Sequence, residues 1–190
     1  HTACGIEKQG DKILSVDARE VKDGRIKRFR APVFIDATGD GWLGYWAGAD
    51  YRYGREAASQ HNEGWDKYGE LWSPKEADNR VMGTSVLWNS ERTNQRQDFP
   101  AVPWAMPVAG KYAASKGEWF WEYSDNDLNQ IDDAETIRDH MLRAIFGSFA
   151  NAKKNPKYAP NRLKWVAYVG GKRETRRLMG DHIYDMHDAV

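Results

Sequence analysis

The stretch FIDATGDGWLG, residues 34–44, contains a literal G-x-G-x-x-G in Gly39, Gly41 and Gly44, directly after an apolar run rich in β-forming residues. A dinucleotide-binding turn has this placement. A first turn of that kind also needs a helix of about three turns, a second parallel strand and an acidic residue near that strand's end. Residues 42–49 suit a short packed helix, but Gly48 and Asp50 end it within about two turns. Residues 51–80 are too polar for a second parallel strand, and neither Glu56 nor Glu63 sits at a strand end. The spacing therefore argues against a first dinucleotide turn. It leaves two structural expectations: residues 33–37 form an interior strand ending at Thr38, and residues 39–41 turn with at least one glycine at positive φ.

Working outward, the residues on the N-terminal side read as short strands. Residues 12–21 alternate in part, Asp23-Gly24 is a hairpin signal, and residues 25–30 follow as its return strand. On the C-terminal side, a helical piece is expected within residues 56–68 and a strand over 83–88. Residues 95–107 hold Pro100, Pro103 and Pro107, so this stretch is extended or irregular. Residues 118–123 alternate as a strand does. The strongest periodicity is helical over 133–149, through Ala134, Ile137, Met141, Leu142, Ile145 and Phe149. Asp132 and Glu135 are spaced as an aspartate capping box, and Gly147 marks the expected end. Residues 163–169 form a further strand, broken by Gly170-Gly171 before the charged block KRETRR.

Composition limits the function. The 28 Lys and Arg residues balance 28 Asp and Glu residues, which argues against a nucleic-acid partner. The single cysteine, Cys4, excludes an internal disulfide framework and any multi-cysteine metal site. No apolar run approaches the roughly 20 residues of a membrane span, so no membrane partner is expected. His1, His61, His140, His182 and His187 show no metal-ligand spacing, and no metal site is assigned. Nine tryptophans are scattered without a period. Most are expected to serve as core area with one hydrogen-bond partner each, though such rings also stack on sugars and flavins.

Three segments together carry a resemblance: VFIDATGDG, then AGADYRYGREA, and later GKRETRRLMGD. They resemble the FAD-dependent oxidoreductase family, some members of which carry a xanthan lyase label. The segments MGTSVLW, Pro103-Trp104-Ala105 and the E-T-I-R-D helix extend the resemblance over nearly the whole chain. It implies an α+β fold: an antiparallel meander from an FAD-binding, glutathione-reductase-like fold, joined to a mixed α/β substrate domain with a central antiparallel sheet. The implied division is 1–50 for the partial FAD-binding domain and 51–190 for the substrate-domain-like region. In such flavoproteins the A-T-G turn is a second flavin contact, and the opening glycine fingerprint lies upstream. The chain is accordingly expected to be an internal piece of a larger flavoenzyme, colourless and inactive by itself. If residues 33–37 prove to be an exposed edge or part of a helix, this placement of the flavin turn is wrong.

The site residues follow from these two blocks. Thr38, Gly39, Asp40 and Gly41 are the implied FAD contacts, through a hydroxyl, a close backbone approach and a second bend. The bland alternative for Asp36 and Asp40 is helix or turn capping. In the second block Lys172, Arg173, Arg176 and Arg177 surround Glu174, and clustered guanidinium groups bind carboxylate or phosphate. Arg173 and Arg176 are the expected catalytic cations, against the alternative of a solvated charged segment. The implied reaction passes a hydride from a small-molecule or carbohydrate-derived substrate to FAD. The rival readings are a carbohydrate-binding or polysaccharide-processing module and a catalytically silent structural fragment.

Overall fold

A computed structural model describes residues 1–117, 121–124 and 127–189. The chain forms an α+β arrangement of one long helix, several short ones and small antiparallel sheets, divided into two compact units. The first comprises His1–Val81 with Thr175–Val190, and the second Met82–Glu174.

The first unit opens with the expected meander. Strands β1 (Thr2–Gln9), β2 (Lys12–Arg19) and β3 (Ile26–Phe29) pair antiparallel in the order β1-β2-β3. Gly10 and Gly24 take positive φ at the two turns, the conformation that L-residues resist. Ser15, Val16 and Ala18 of the central strand are buried.

Residues 31–37 correct the interior-strand expectation. They belong to no ladder, with Val33 74 % and Ile35 86 % exposed. An apolar run becomes an interior strand only when neighbours satisfy its amides and cover its faces. Among the described residues no strand pairs with it.

The glycine turn follows as expected, with Gly39 at φ 86° and Gly41 at φ 65°. Helix α1 (Trp42–Ala47) then packs on β1 through a face that includes buried Leu43, and it ends in a left-handed Gly48. Strand β4 (Tyr51–Arg52) and helix α2 (Ala58–His61) come next, then a 3-10 turn at Trp65–Tyr68.

The second unit is built on one long helix. Strand β5 (Thr84–Ser85) pairs with β7 (Glu122–Tyr123), and β6 (Trp88–Arg92) pairs with β8 (Asn161–Val166). The expected central sheet is thus distributed over two-stranded ladders, because glycine breaks and a proline-rich stretch keep the strands short. Residues 118–120 of the strand expected over 118–123, Trp119 included, lie outside the described residues. Helix α3 (Met106–Ala109) precedes α4 (Ala134–Lys153). Ile137, Met141, Ile145 and Phe149 of α4 bury against Val86, Trp88 and Tyr123.

Two local readings of α4 need correction. Its N-cap is Asp133, and the Asp132–Glu135 capping box does not form. Asp133 instead accepts the Asn129 amide at 2.9 Å, and Asn129 Oδ1 takes the amides of Ile131 and Asp132. Gly147 does not end the helix, which continues to Lys153. It lies where α4 crosses α3, and a Cβ there would stand 2.5 Å from Ala109 Cβ and 2.8 Å from Ala105 O. Close helix approach uses the missing side chain. After Glu174 the chain returns to the first unit, where strand β9 (Arg177–Leu178) pairs antiparallel with β4.

Candidate functional site

What surrounds the glycines decides how the turn is used. Asp36 reaches over the turn: Oδ1 accepts the Thr38 amide at 3.1 Å and the Thr38 hydroxyl at 2.7 Å, while Oδ2 accepts the Gly44 amide at 3.1 Å. The Thr38 hydroxyl in turn accepts the Trp42 amide at 2.9 Å. Burial pushes the Asp36 carboxyl up, but these hydrogen bonds, with the Leu43 amide, outweigh it and hold the group below the usual carboxylate range. The first amides of α1 are therefore taken by the chain's own carboxylate and hydroxyl. A pyrophosphate cradle would need those amides directed at the ligand.

The glycines serve packing as well. A Cβ on Gly44 would meet both Leu178 methyls at 2.5 Å, and one on Gly41 would meet Leu178 at 3.3 Å. These two positions let the returning segment of β9 lie directly on the turn. At Gly39 a Cβ would meet nothing within 4 Å, so its backbone borders open space.

That returning segment carries the KRETRR block, and the fold divides the block between the units. Thr175 is buried, and its hydroxyl donates to Asp40 Oδ1 at 2.9 Å. Asp40, itself buried, accordingly ties the turn to a segment 135 residues away. Arg176 donates to the Asp40 carbonyl at 3.2 Å. Its guanidinium carbon lies 3.9 Å from the Tyr45 ring centroid, 4.5 Å from Trp42 and 5.6 Å from Tyr51. Such stacking holds a guanidinium plane in place. Arg176 is half-buried and makes no ion pair among the described residues. Arg177 donates to Gly54 O at 2.5 Å.

Arg173 belongs to the second unit, where its Nη1 meets Glu122 Oε2 at 2.9 Å in a partly exposed ion pair. Glu174, in the same unit, accepts the Met82 amide at 3.1 Å. Of the residues named from sequence, Thr38, Gly39, Asp40, Gly41 and Arg176 thus come together in one place. Thr175, Trp42, Tyr45, Tyr51 and Leu178 were missed. Trp42 and Tyr45 stand three apart, the spacing of one helix face, and Thr175 sits between the two candidate arginines.

The G-R-E segment is explained by the fold. Gly54 takes φ 88°, and a Cβ there would collide with the Asp78 carbonyl oxygen. Arg55 exchanges backbone hydrogen bonds with Asp78, clasps its carboxylate, and donates to the carbonyls of Glu70 and Leu71 at 2.8 and 2.6 Å. This clamp folds residues 54–78 into a closed loop.

A groove of about 740 Å³ lies beside the turn, with Val16, Ala18, Phe34, Thr38, Leu43 and Trp46 on its walls. Among the described residues no group of three or more His, Cys, Asp or Glu side chains is arranged to hold a metal, and no helix is long and apolar enough to cross a membrane. His182 instead meets Asp188 at 2.9 Å.

No curated protein and no solved structure matches the chain. The family model described as FAD dependent oxidoreductase matches residues 1–190. With both motif blocks meeting at Asp40 and Thr175, the chain belongs to the FAD-dependent oxidoreductase family.

Proposed function

We propose that the junction of the glycine turn with Thr175 and Arg176 faces the flavin of an FAD-dependent oxidoreductase, and that the meander belongs to a glutathione-reductase-like FAD-binding fold. The observation that carries the reading is Arg176: a half-buried guanidinium, held by three aromatic rings, with no carboxylate among the described residues to neutralise it. The exposed segment at 33–37 argues against placing the turn by an interior strand, so the reading rests on this junction and on the family alone.

The residues fit one part of the cofactor and not another. The amides of α1 are engaged by Asp36 and Thr38, so the turn does not suit the pyrophosphate. The open backbone at Gly39 and the guanidinium of Arg176 suit a flat, polar ring edge that gains negative charge. A bound flavin supplies a hydride acceptor at N5 for the substrate's hydride. Arg176 then stabilises developing negative charge, Asp40 and Thr175 fix the turn, and Gly39 leaves room for close approach. Within the second unit, Arg173, paired with Glu122, is proposed separately as a cation for an anionic substrate.

The test has two arms. The 190-residue chain purified alone should lack stoichiometric flavin absorbance, and a yellow protein with one FAD per chain would overturn the pyrophosphate argument. In a flavin-bearing form of the protein, Arg176→Ala should slow flavin reduction. A charge-assisted hydrogen bond worth roughly 1.5–3 kcal/mol corresponds to about ten- to a hundredfold if it acts only in the transition state. Arg176→Lys should recover part of the rate, since it keeps the charge and loses the planar fork. Reduction rates unchanged in both Arg173→Ala and Arg176→Ala would remove the block from the active site.

A further inference from the structure

The second unit holds a pocket of about 400 Å³, inside the roughly 300–1,000 Å³ range of small-molecule sites. Strand β7 with its flanking residues and helices α3 and α4 supply the lining. Met141 and Ala144 stand three apart on α4, the spacing of one helix face, and with Val108 of α3 they give the pocket an apolar side. Trp121 adds an indole, set against the Tyr112 ring at 5.0 Å between centroids. Ser124 and His140 supply polar groups.

Two features narrow the ligand. Among the described residues the lining holds one carboxylate, Glu122, and no Lys or Arg. Both oxygens of Glu122 are engaged: Oε1 accepts the Gly83 amide at 3.1 Å, and Oε2 meets Arg173 at 2.9 Å. The pocket therefore offers neither an open carboxylate for a cation nor a guanidinium for an anion. The second feature is His140, which is exposed and whose ring nitrogens have no hydrogen-bond partner among the described residues. Its ring stands edge-on to Tyr123, with centroids 5.3 Å apart and planes at 79°. Tyr123 is buried and donates its hydroxyl to Asp127 Oδ1, which gives the imidazole a fixed support. A hydroxyl both donates and accepts, so it can pair with either kind of ring nitrogen and with Ser124 Oγ.

We infer that this pocket binds a pyranose sugar ring, with its C–H face on Trp121 and the apolar side and its hydroxyls on His140 and Ser124. A pyranose carries both surfaces on one rigid frame. Its C–H bonds, polarised by the neighbouring oxygens, suit the negative face of an indole, while its rim of hydroxyls needs groups that donate and accept. A purely apolar ligand would leave His140 and Ser124 unused, and an ion would find no opposite charge on the walls. The inference depends neither on the flavin reading nor on the role proposed for Arg173, which stays paired with Glu122.

Titration of the full 190-residue chain with methyl glucoside, methyl galactoside and methyl mannoside tests it, read by calorimetry and by the histidine ring C–H signals in proton NMR. Cyclohexanol and sodium acetate are the controls. Saturable binding of at least one glycoside is expected, with both controls at least about tenfold weaker. His140→Phe keeps a ring against Tyr123 and removes both nitrogens. It should weaken the glycoside about fivefold or more and leave the melting temperature unchanged, because the side chain is exposed. The signals missing from this variant belong to His140, and they should move when the glycoside is added to the unaltered chain. The inference is overturned by an absence of saturable binding for all three glycosides up to about 100 mM. It is equally overturned by cyclohexanol or acetate binding as tightly, by His140 signals that do not move, or by His140→Phe binding as the unaltered chain does.

Discussion

Replacing Asp36 tests how the glycine turn is held. Asp36→Ala deletes the acceptor for the Thr38 amide at 3.1 Å, the Thr38 hydroxyl at 2.7 Å and the Gly44 amide at 3.1 Å. Loss of a helix cap costs about 0.5–2 kcal/mol. The further turn bonds are worth roughly 0.5–1.5 kcal/mol each, and water replaces part of them because Asp36 is not fully buried. A net loss of about 2 kcal/mol follows. For a chain of this size that lowers the melting temperature by roughly 4–8 °C. Asp36→Asn keeps one acceptor oxygen and should lose about half as much.

The pH dependence has a defined sign. Hydrogen bonding to the ionised form holds the folded-state pKa of Asp36 below its ordinary value, against the opposing effect of burial. The stabilisation is therefore fully present above the unfolded pKa of about 3.9. It is lost as the pH falls through the lower folded value. Melts followed by far-ultraviolet circular dichroism at neutral pH and across the acid range below pH 4 should show the gap to Asp36→Asn closing on acidification. An Asp36→Ala melt within about 1 °C of the unaltered chain at neutral pH, or a gap that stays constant, would refute the reasoning.

Two further substitutions probe close backbone approach. Gly54→Ala should destabilise by about 2 kcal/mol or more, because φ 88° resists a Cβ and that Cβ collides with the Asp78 carbonyl. Chemical denaturation measures it, and an unchanged midpoint would remove the clamp between residues 54 and 78. Gly147→Ala gains about 1 kcal/mol of helix propensity and loses roughly 1–3 kcal/mol to overpacking against Ala105 and Ala109. A net loss is expected, and a higher melting temperature would contradict the close crossing of α3 and α4. The ion pair of Arg173 with Glu122 is partly exposed, so Arg173→Ala should shift stability by no more than about 0.5 kcal/mol in the same measurement.

Local signals of high contrast were legible without coordinates. The meander could be read because alternation and an Asp-Gly turn are short-range features, and both glycines of the next turn take positive φ as their type allows. Helix α4 could be read because a 20-residue element repeats its apolar face many times over. The motif blocks identified the family before any geometry was known. Tertiary structure decided the rest. Val33 and Ile35 are apolar enough for an interior strand, yet burial depends on neighbours that spacing alone does not supply. Asp36 and Asp40 look alike in sequence, but one binds the amides of its own turn and the other receives Thr175 from 135 residues away. Gly44 fits a nucleotide fingerprint, and its contact is Leu178. Arg173 and Arg176 stand three apart in one charged block, yet one joins a carboxylate in the second unit and the other an aromatic cage in the first. The physical reason is the same in each case: sequence spacing governs what a residue can do within a turn or helix, whereas the partner across a long loop is chosen by packing of the whole chain.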